Sequence, residues 1–463
     1  MERLSLRLRI FLFFCLAGFG GIAVVLGALW LGYRQAGAPE TLSAFITVAI
    51  VSSFGLLGLA TFIWLLFDRN VSKPIEALAA QFRVRAHGGI AADLDYEAAR
   101  YLGDLAPAAS ILQEKLGDAS AATEETVIER TARLRQQRSQ LLQILSDIPI
   151  AVIVAAEDHR IVLYDGQAAD LMEREAPARL ATSVFDYLDE NTLRAALTRM
   201  KAEEAPRREI TVKGRSGALY SGHLRRFGAG GYTLMLEPLS PDAARPMVYD
   251  FDLLGTERPS DPLETALRDL SFVVFDSETT GLDPVRDNVV QLGAVRIVNG
   301  RLVEGEAFET LVNPGRPIPA VATRVHGVDD ATVADAPAFA EARQRFHAFA
   351  KDAVIIAHNA PFDMAFLHRA EAGGAVFDNP VLDTVHLSAI VFGGSACHTL
   401  DAICARLCIE IPAEQRHTAM GDALATAAAF TAMLPILEAR GLVTLGQIRS
   451  EAKRHSRILK LQD

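Results

Sequence analysis

A chain of 463 residues with 57 acidic and 46 basic side chains, formal net charge -11, is too long for one hydrophobic core and too acidic to bind nucleic acid by bulk charge. Any contact with nucleic acid is therefore local, through a small basic surface or through metal ions. The four cysteines, Cys15, Cys397, Cys404 and Cys408, leave no disulfide framework, since Cys15 lies in an apolar run, and the bulk of the chain reads as cytoplasmic.

Two uncharged runs, residues 10–33 and 42–67, open the chain. Each is long enough to span a bilayer, so residues 1–67 read as a transmembrane hairpin. A signal peptide cut after Ala36–Ala38 is the weaker reading, because the first run exceeds a signal core and Pro39 would follow the cut. Arg3, Arg7 and Arg9 precede the first run, Arg69 and Lys73 follow the second, and Arg34 alone lies between them. By the positive-inside rule both termini face the cytoplasm, as in a multi-pass protein of the bacterial inner membrane. The connection Arg34–Thr41 is too short to fold as an external sensor.

After the second run, Pro74 opens a helix with Ile75, Leu78, Ala79 and Phe82 on one side. This resembles the start of a HAMP domain, a membrane-proximal helical relay, and makes residues 68–118 a HAMP-like helical segment; a plain juxtamembrane helix pair is the alternative. In residues 119–146, Val127, Leu134, Leu141 and Leu145 follow coiled-coil spacing, interrupted at Thr131 and Arg138. That is a signalling helix through which two copies would pair, or a solvated helix.

The period then changes. Ala151–Ala155 and Ile161–Tyr164 read as short apolar strands joined by a polar turn, and a second hairpin folds about Gly228, Gly230 and Gly231. A strand pair, a short helical middle and a closing hairpin resemble a PAS domain over residues 140–239, an α+β fold. The resemblance implies dimerisation or an unidentified small ligand. The region has no cysteine for flavin attachment, and His159, a haem-ligand candidate with His223, sits in a turn. Prolines thicken between Pro238 and Pro262, so residues 240–264 read as a linker.

Three strands follow, Phe272–Phe275, Val289–Val298 and Arg301–Val312, the last two joined at Asn299-Gly300. Side chains alternate along a strand, so Asp276 and Glu278 point one way and Ser277 the other. Two acids on one face repel unless a cation lies between them, and an all-oxygen ligand set favours Mg or Mn over zinc. Further on, Val354–Ala357 reads as a buried strand leading to a helix with Asp363 in its first turn. Another helix opens within "HTAMGD", leaving His417 on the loop or first turn and Asp422 facing inward with Ala425 and Ala429.

Over residues 270–437, "FDSETTG", "HNAPFD" and "HTAMGD" resemble, in family order, the three motifs of DEDD 3'-to-5' exonucleases of the histidine branch. That branch includes the epsilon subunit of bacterial DNA polymerase III, RNase T and oligoribonuclease. The resemblance implies an α/β ribonuclease H-like domain over residues 265–440 that hydrolyses phosphodiester bonds from 3' ends with two divalent cations, Mg or Mn. It implies Asp276, Glu278, Asp363 and Asp422 as metal ligands, His417 as general base, and Thr279, Thr280, His326, Asn359 and Phe362 as substrate contacts. His326 reads equally as a loop cap, Asp383 as a helix N-cap, and Cys404 and Cys408 as packing groups rather than zinc ligands. The basic helix of residues 441–463, with Arg449, Lys453, Arg454, Arg457 and Lys460, would grip a phosphate backbone, or be solvated or membrane-facing.

The sequence thus predicts a multidomain, membrane-anchored exonuclease acting on a DNA or RNA 3' end and regulated by its PAS-like and HAMP-like modules. The rival is a non-catalytic membrane receptor whose nuclease fold senses nucleic acid or nucleotides. His417 argues against the rival, because binding alone has no need of it.

Overall fold

The computed structural model describes residues 6–36, 42–76, 79, 150–203, 205–228, 230–237, 247–255, 261–369, 374–394 and 396–459. The chain divides into two units, residues 1–83 with 92–124, and residues 84–91 with 125–463.

In the first unit, α1 (Leu6–Ala36) and α2 (Leu42–Phe67) run antiparallel. Ring pairs set their register: Phe11 with Trp64 at 5.1 Å, Phe14 with Phe67 at 6.0 Å, and Tyr33 with Phe45 at 5.8 Å. Both helices carry exposed large apolar side chains, Phe13, Phe19, Trp30, Phe54 and Phe62 among them, and both are long and apolar enough to cross a membrane. Pro74 opens no new helix. The second helix continues to Glu76 through a π turn, Asp68–Ser72, in which Lys73 N–H donates to the Asp68 carbonyl. A wider turn beside a proline, which has no N–H to offer, lets the chain stay helical. The rest of the HAMP-like segment and the signalling helix lie outside the described residues, Ala79 apart.

The second unit is built on two sheets. The first is antiparallel: β1 (Ala151–Ala155), β2 (Ile161–Tyr164), β3 (Arg207–Lys213), β4 (Leu219–Phe227), β5 (Gly231–Leu236) and β6 (Val248–Tyr249), in the order β3-β4-β5-β1-β2-β6. Between β2 and β3 lie α3 (Gly166–Glu173) and α4 (Glu190–Ala202), capped by the Asp165 and Asp189 carboxylates. Ile153, Leu171, Tyr187, Leu224 and Leu234 form the core. Part of the stretch read as linker is structural, since Val248 pairs with Tyr164 and Val248 and Leu253 fill the edge of this core. His159 is a packing residue. Its Nδ1 lies 2.9 Å from the Tyr232 hydroxyl and its ring 4.7 Å from that of Phe185.

The second sheet mixes an antiparallel meander with a parallel half, its strands lying in the order Val381–Asp383, Val354–Ala357, Phe272–Thr279, Val289–Val298, Arg301–Leu311. The meander is β7 (Phe272–Thr279), β8 (Val289–Val298) and β9 (Arg301–Leu311). After α5 (Ala320–His326) and α6 (Phe339–Ala350), β10 (Val354–Ala357) pairs parallel with β7. Then come α7 (Ala360–Leu367), β11 (Val381–Asp383), α8 (Thr384–Phe392), α9 (Leu400–Arg406), α10 (Ala419–Ala439) and α11 (Leu445–Leu459). Helix α10 also has the length and hydropathy of a membrane span, but 61% of that window is buried: it is the core helix that crosses β7 and β8.

The approach of α10 to the sheet depends on Gly293. A Cβ there would collide with the Met420 backbone nitrogen. Gly293→Ala should therefore cost about 1–3 kcal/mol of stability and displace the start of α10. Thermal unfolding and hydrolysis rate together check this, and wild-type values for both would refute it.

The two sheets meet in a buried polar network. Glu306 on β9 and Arg296 on β8 lie 2.8 Å apart and both are almost wholly buried. The Tyr164 hydroxyl at 2.8 Å and the Leu180 N–H at 2.5 Å both donate to Glu306. Arg296 donates to the Leu180 and Phe349 carbonyls, each at 3.3 Å. Beside them Arg179 donates to the Lys351 carbonyl at 2.9 Å, and Lys351 reaches Asp186 at 2.8 Å. Burial raises the Glu306 carboxyl and lowers the Arg296 guanidinium, and each is drawn back by the other's charge. Val298 of β8 completes the first sheet's core.

Candidate active site

Strand β7 runs to Thr279, past the Phe275 end predicted from its apolar run. The ladder with β8 continues under the acidic side chains, pairing Asp276 with Gly293 and Glu278 with Gln291, and its register slips after Glu278. Helix α10 delivers Asp422 from its first turn. Asp276, Glu278 and Asp422 each present a carboxylate oxygen, all within 4.8 Å of one another.

Among the described residues this is the one acidic, histidine or cysteine cluster dense enough to hold a metal. Burial, then repulsion from Asp363, Glu278 and Asp422, holds the Asp276 carboxyl well above the usual carboxylate range. Burial, then Asp422 and Asp363, lifts Glu278 to about 8. Asp422 is raised by burial and drawn down by Arg416 and His417. Protons or cations must offset this repulsion, and the all-oxygen donor set suits hard divalent cations. The residues fit such ions.

Asp363 stands beside the trio, in the first turn of α7. It is buried, which lifts it to about 7 against the opposing hydrogen bond that Ser277 donates at 2.5 Å. Ser277, between Asp276 and Glu278 in β7, anchors Asp363 through that bond. His417 is exposed at φ 57°, one residue before the Thr418 cap, and its amide and ring both act on Asp422.

The other expected contacts are engaged by the protein itself. The Thr279 hydroxyl donates to the Gly281 carbonyl at 2.7 Å and that of Thr280 to Asp287 at 3.1 Å, which fixes the loop after β7. His326 is a buried loop cap, its Nδ1 accepting from Val328 N–H at 3.1 Å, with the Thr279 carbonyl also against its ring; burial lowers its pKa. Asn359 is left-handed at φ 59° and its N–H donates to Asp383 at 3.1 Å. Phe362 is half-buried against Phe366 at 5.2 Å. Asp383 caps α8 by accepting from Val385 N–H at 2.9 Å. Cys404 packs with Leu400 and Ala425, and burial pushes its thiol up to about 11.

Three positioning residues escaped the sequence reading. Gln291, opposite Glu278, accepts from Ala419 N–H at 3.2 Å and so ties the start of α10 to β8. Arg416 lies 2.6 Å from Asp401 and 3.8 Å from Asp422. His358, driven by burial down to about 4, meets the Thr384 hydroxyl at 3.0 Å. The lone polar side chain in "VVQLGAV" was the available signal for Gln291.

A family model described as Exonuclease, RNase_T, matches residues 273–430. A DNA polymerase III subunit epsilon-like protein of Rhodobacter capsulatus is 33% identical, with 99% of each chain covered. This chain belongs to the DNA polymerase III subunit epsilon-like family. A DNA polymerase III PolC-type of Caldanaerobacter subterraneus subsp. tengcongensis is also 40% identical, across 39% of this chain but only 13% of that protein. Exonuclease X, solved in complex with 5' overhanging duplex DNA, is 23% identical over 39% of this chain and 99% of its own, with a TM-score of 0.32. As an epsilon-like family member with the Exonuclease domain, the chain is an exonuclease-family enzyme.

Proposed function

We propose that this epsilon-like chain is a membrane-anchored 3'-to-5' exonuclease of the histidine-containing DEDD type. The observation that carries the reading is the convergence of Asp276, Glu278 and Asp422 within 4.8 Å, with His417 at the mouth of α10. Asp276, Glu278 and Asp422 would hold divalent cations, Mg or Mn, and Asp363 would complete a second position beside Asp276. Two such ions, when bound, neutralise charge on the attacking and leaving oxygens of a phosphodiester.

The protein's own groups do the rest. His417, exposed and outside the helix, accepts the proton of the attacking water. The His417 amide and ring both act on Asp422, which ties the base to the acidic site. Ser277 and Gln291 hold Asp363 and the start of α10 in place before substrate arrives. Thr279, Thr280, His326, Asn359 and Phe362 shape the wall for the terminal nucleotide, with the Thr279 and Thr280 hydroxyls and His326 Nδ1 already bonded within the protein.

Helices α1 and α2 would anchor the chain in the cell membrane, with both termini and the nuclease in the cytoplasm, as the arginine distribution predicts. The strand pair β1 and β2, the helical middle and the hairpin β4 and β5 support the PAS-like reading of the first sheet, residues 140–239. That module and the HAMP-like segment would regulate the nuclease, through a small ligand or through pairing of two copies. The substrate is a nucleic acid with a free 3' end, in keeping with the DNA-polymerase names of its relatives.

The test uses the full chain in detergent with Mg or Mn and an oligonucleotide labelled at its 5' end. A ladder shortening from the 3' end is expected. Shortening from the 5' end, or binding without turnover, would overturn the reading.

A further inference from the structure

The residue placed as general base sits in a short segment held from both sides. His417 is exposed and left-handed at φ 57°, a conformation that a non-glycine residue keeps only where its surroundings impose it. On the C-terminal side, the Thr418 hydroxyl donates to the Gln415 carbonyl at 2.8 Å and accepts from Gly421 N–H at 3.1 Å. Gly421 allows this close approach, since a Cβ there would overlap the Gln415 carbonyl. On the N-terminal side, Arg416 forks onto Asp401, with contacts of 2.6 and 2.8 Å. Asp401 stands in the first turn of α9, which packs against α10 where Cys404 meets Ala425.

The same Arg416 Nη1 that lies 2.6 Å from Asp401 lies 3.8 Å from Asp422. The guanidinium thus stands between two carboxylates and rests on the one outside the acidic trio. Without Asp401 its nearest carboxylate would be Asp422, and its charge would compete there with a divalent cation. Asp401 is 66% exposed, so as a surface ion pair alone it would matter little.

We infer that Asp401 is a positioning residue of the active site: by holding the Arg416 guanidinium it sets the place of His417 and keeps Asp422 open to cations. The inference rests on the nuclease reading for its effect on rate, and on the fit of the acids to divalent ions for its effect on binding. Asp401 acts through Arg416 in both.

The test compares Asp401→Ala and Arg416→Gln in the full-length protein in detergent. Mg is titrated first, with thermal unfolding as the readout of binding. Asp401→Ala should raise the Mg concentration that gives half the stabilisation by about threefold, and Arg416→Gln should lower it by about as much. The first variant frees the guanidinium toward Asp422, and the second removes it. A merely structural pair would move both variants the same way.

Hydrolysis of a single-stranded oligonucleotide is then measured at saturating Mg. Each variant should lose about tenfold in kcat at unchanged KM, and Arg416→Lys should recover part of that loss. In a His417→Ala background, Asp401→Ala should cost no further kcat, since the effect passes through the base. Mg midpoints that shift in one direction, or not at all, would overturn the inference, and so would additive losses in the double variant. If the wild type hydrolyses nothing, the nuclease reading fails, and the Mg titration still decides the role of Asp401.

Discussion

Asp276→Asn in the full-length protein should lower the hydrolysis rate by about 10³-fold or more, roughly 4 kcal/mol of barrier, while the cation-free protein unfolds at an unchanged or higher temperature. The two effects have one origin. Burial and three neighbouring acids raise the Asp276 carboxyl, so its ionised form costs the folded state. The amide keeps the shape and removes that repulsion, together with a cation ligand. The sign follows for pH. Groups whose folded pKa is raised lose stability as pH climbs from the unfolded value through the folded one, which for Glu278 is a rise from 4.5 to about 8. Without divalent ions the protein should weaken across that window, and Asp276→Asn should flatten the loss. Added Mg or Mn must displace protons, so its stabilisation should grow with pH. Retention of activity within tenfold of wild type would remove Asp276 from the chemistry.

Glu306→Ala should destabilise the second unit by about 3–5 kcal/mol, because it leaves Arg296 charged, buried and unpaired. Glu306→Met with Arg296→Met should recover most of that loss, since both charges leave together. Denaturant unfolding of a fragment covering residues 147–459 would measure both. The same network predicts that a fragment starting at residue 261 is the less stable nuclease, since Tyr164 and Leu180 no longer satisfy Glu306. If it melts at the same temperature as the longer fragment, the network has no energetic role.

Much of this was legible in the sequence. Strands β1, β2, β8 and β10 fall where their apolar runs do, because a run bounded by turn residues on both sides has little freedom to shift. Asp276, Glu278 and Asp422 meet as their motifs imply. Strand β3 was missed because Ile210 and Val212 alone face the core among exposed polar neighbours. Pro74 misled because a proline reads as a helix start, while the π turn before it lets one helix pass through. The roles of Ser277 and Arg416 were invisible because they exist only across tertiary contacts, and Gln291 showed only as a lone polar side chain in an apolar strand. Glu306 sits in a strand of alternating exposure, "RLVEGEAFETL", where a charge looks solvated until Tyr164, 142 residues away, closes over it.

That pairing bears on how this protein is inherited and handled. A nuclease with a dry, self-sufficient surface is a cassette, free to be fused to new partners or released from old ones. This one presents Glu306 and Arg296 to whatever lies beside β8 and β9, and the Leu180 backbone and Tyr164 hydroxyl answer them. A recombination that separates the two sheets strips the Glu306–Arg296 pair of the Tyr164 and Leu180 groups that complete it. The pair is best treated as a single heritable piece, and a graft of this nuclease onto another scaffold should carry both sheets.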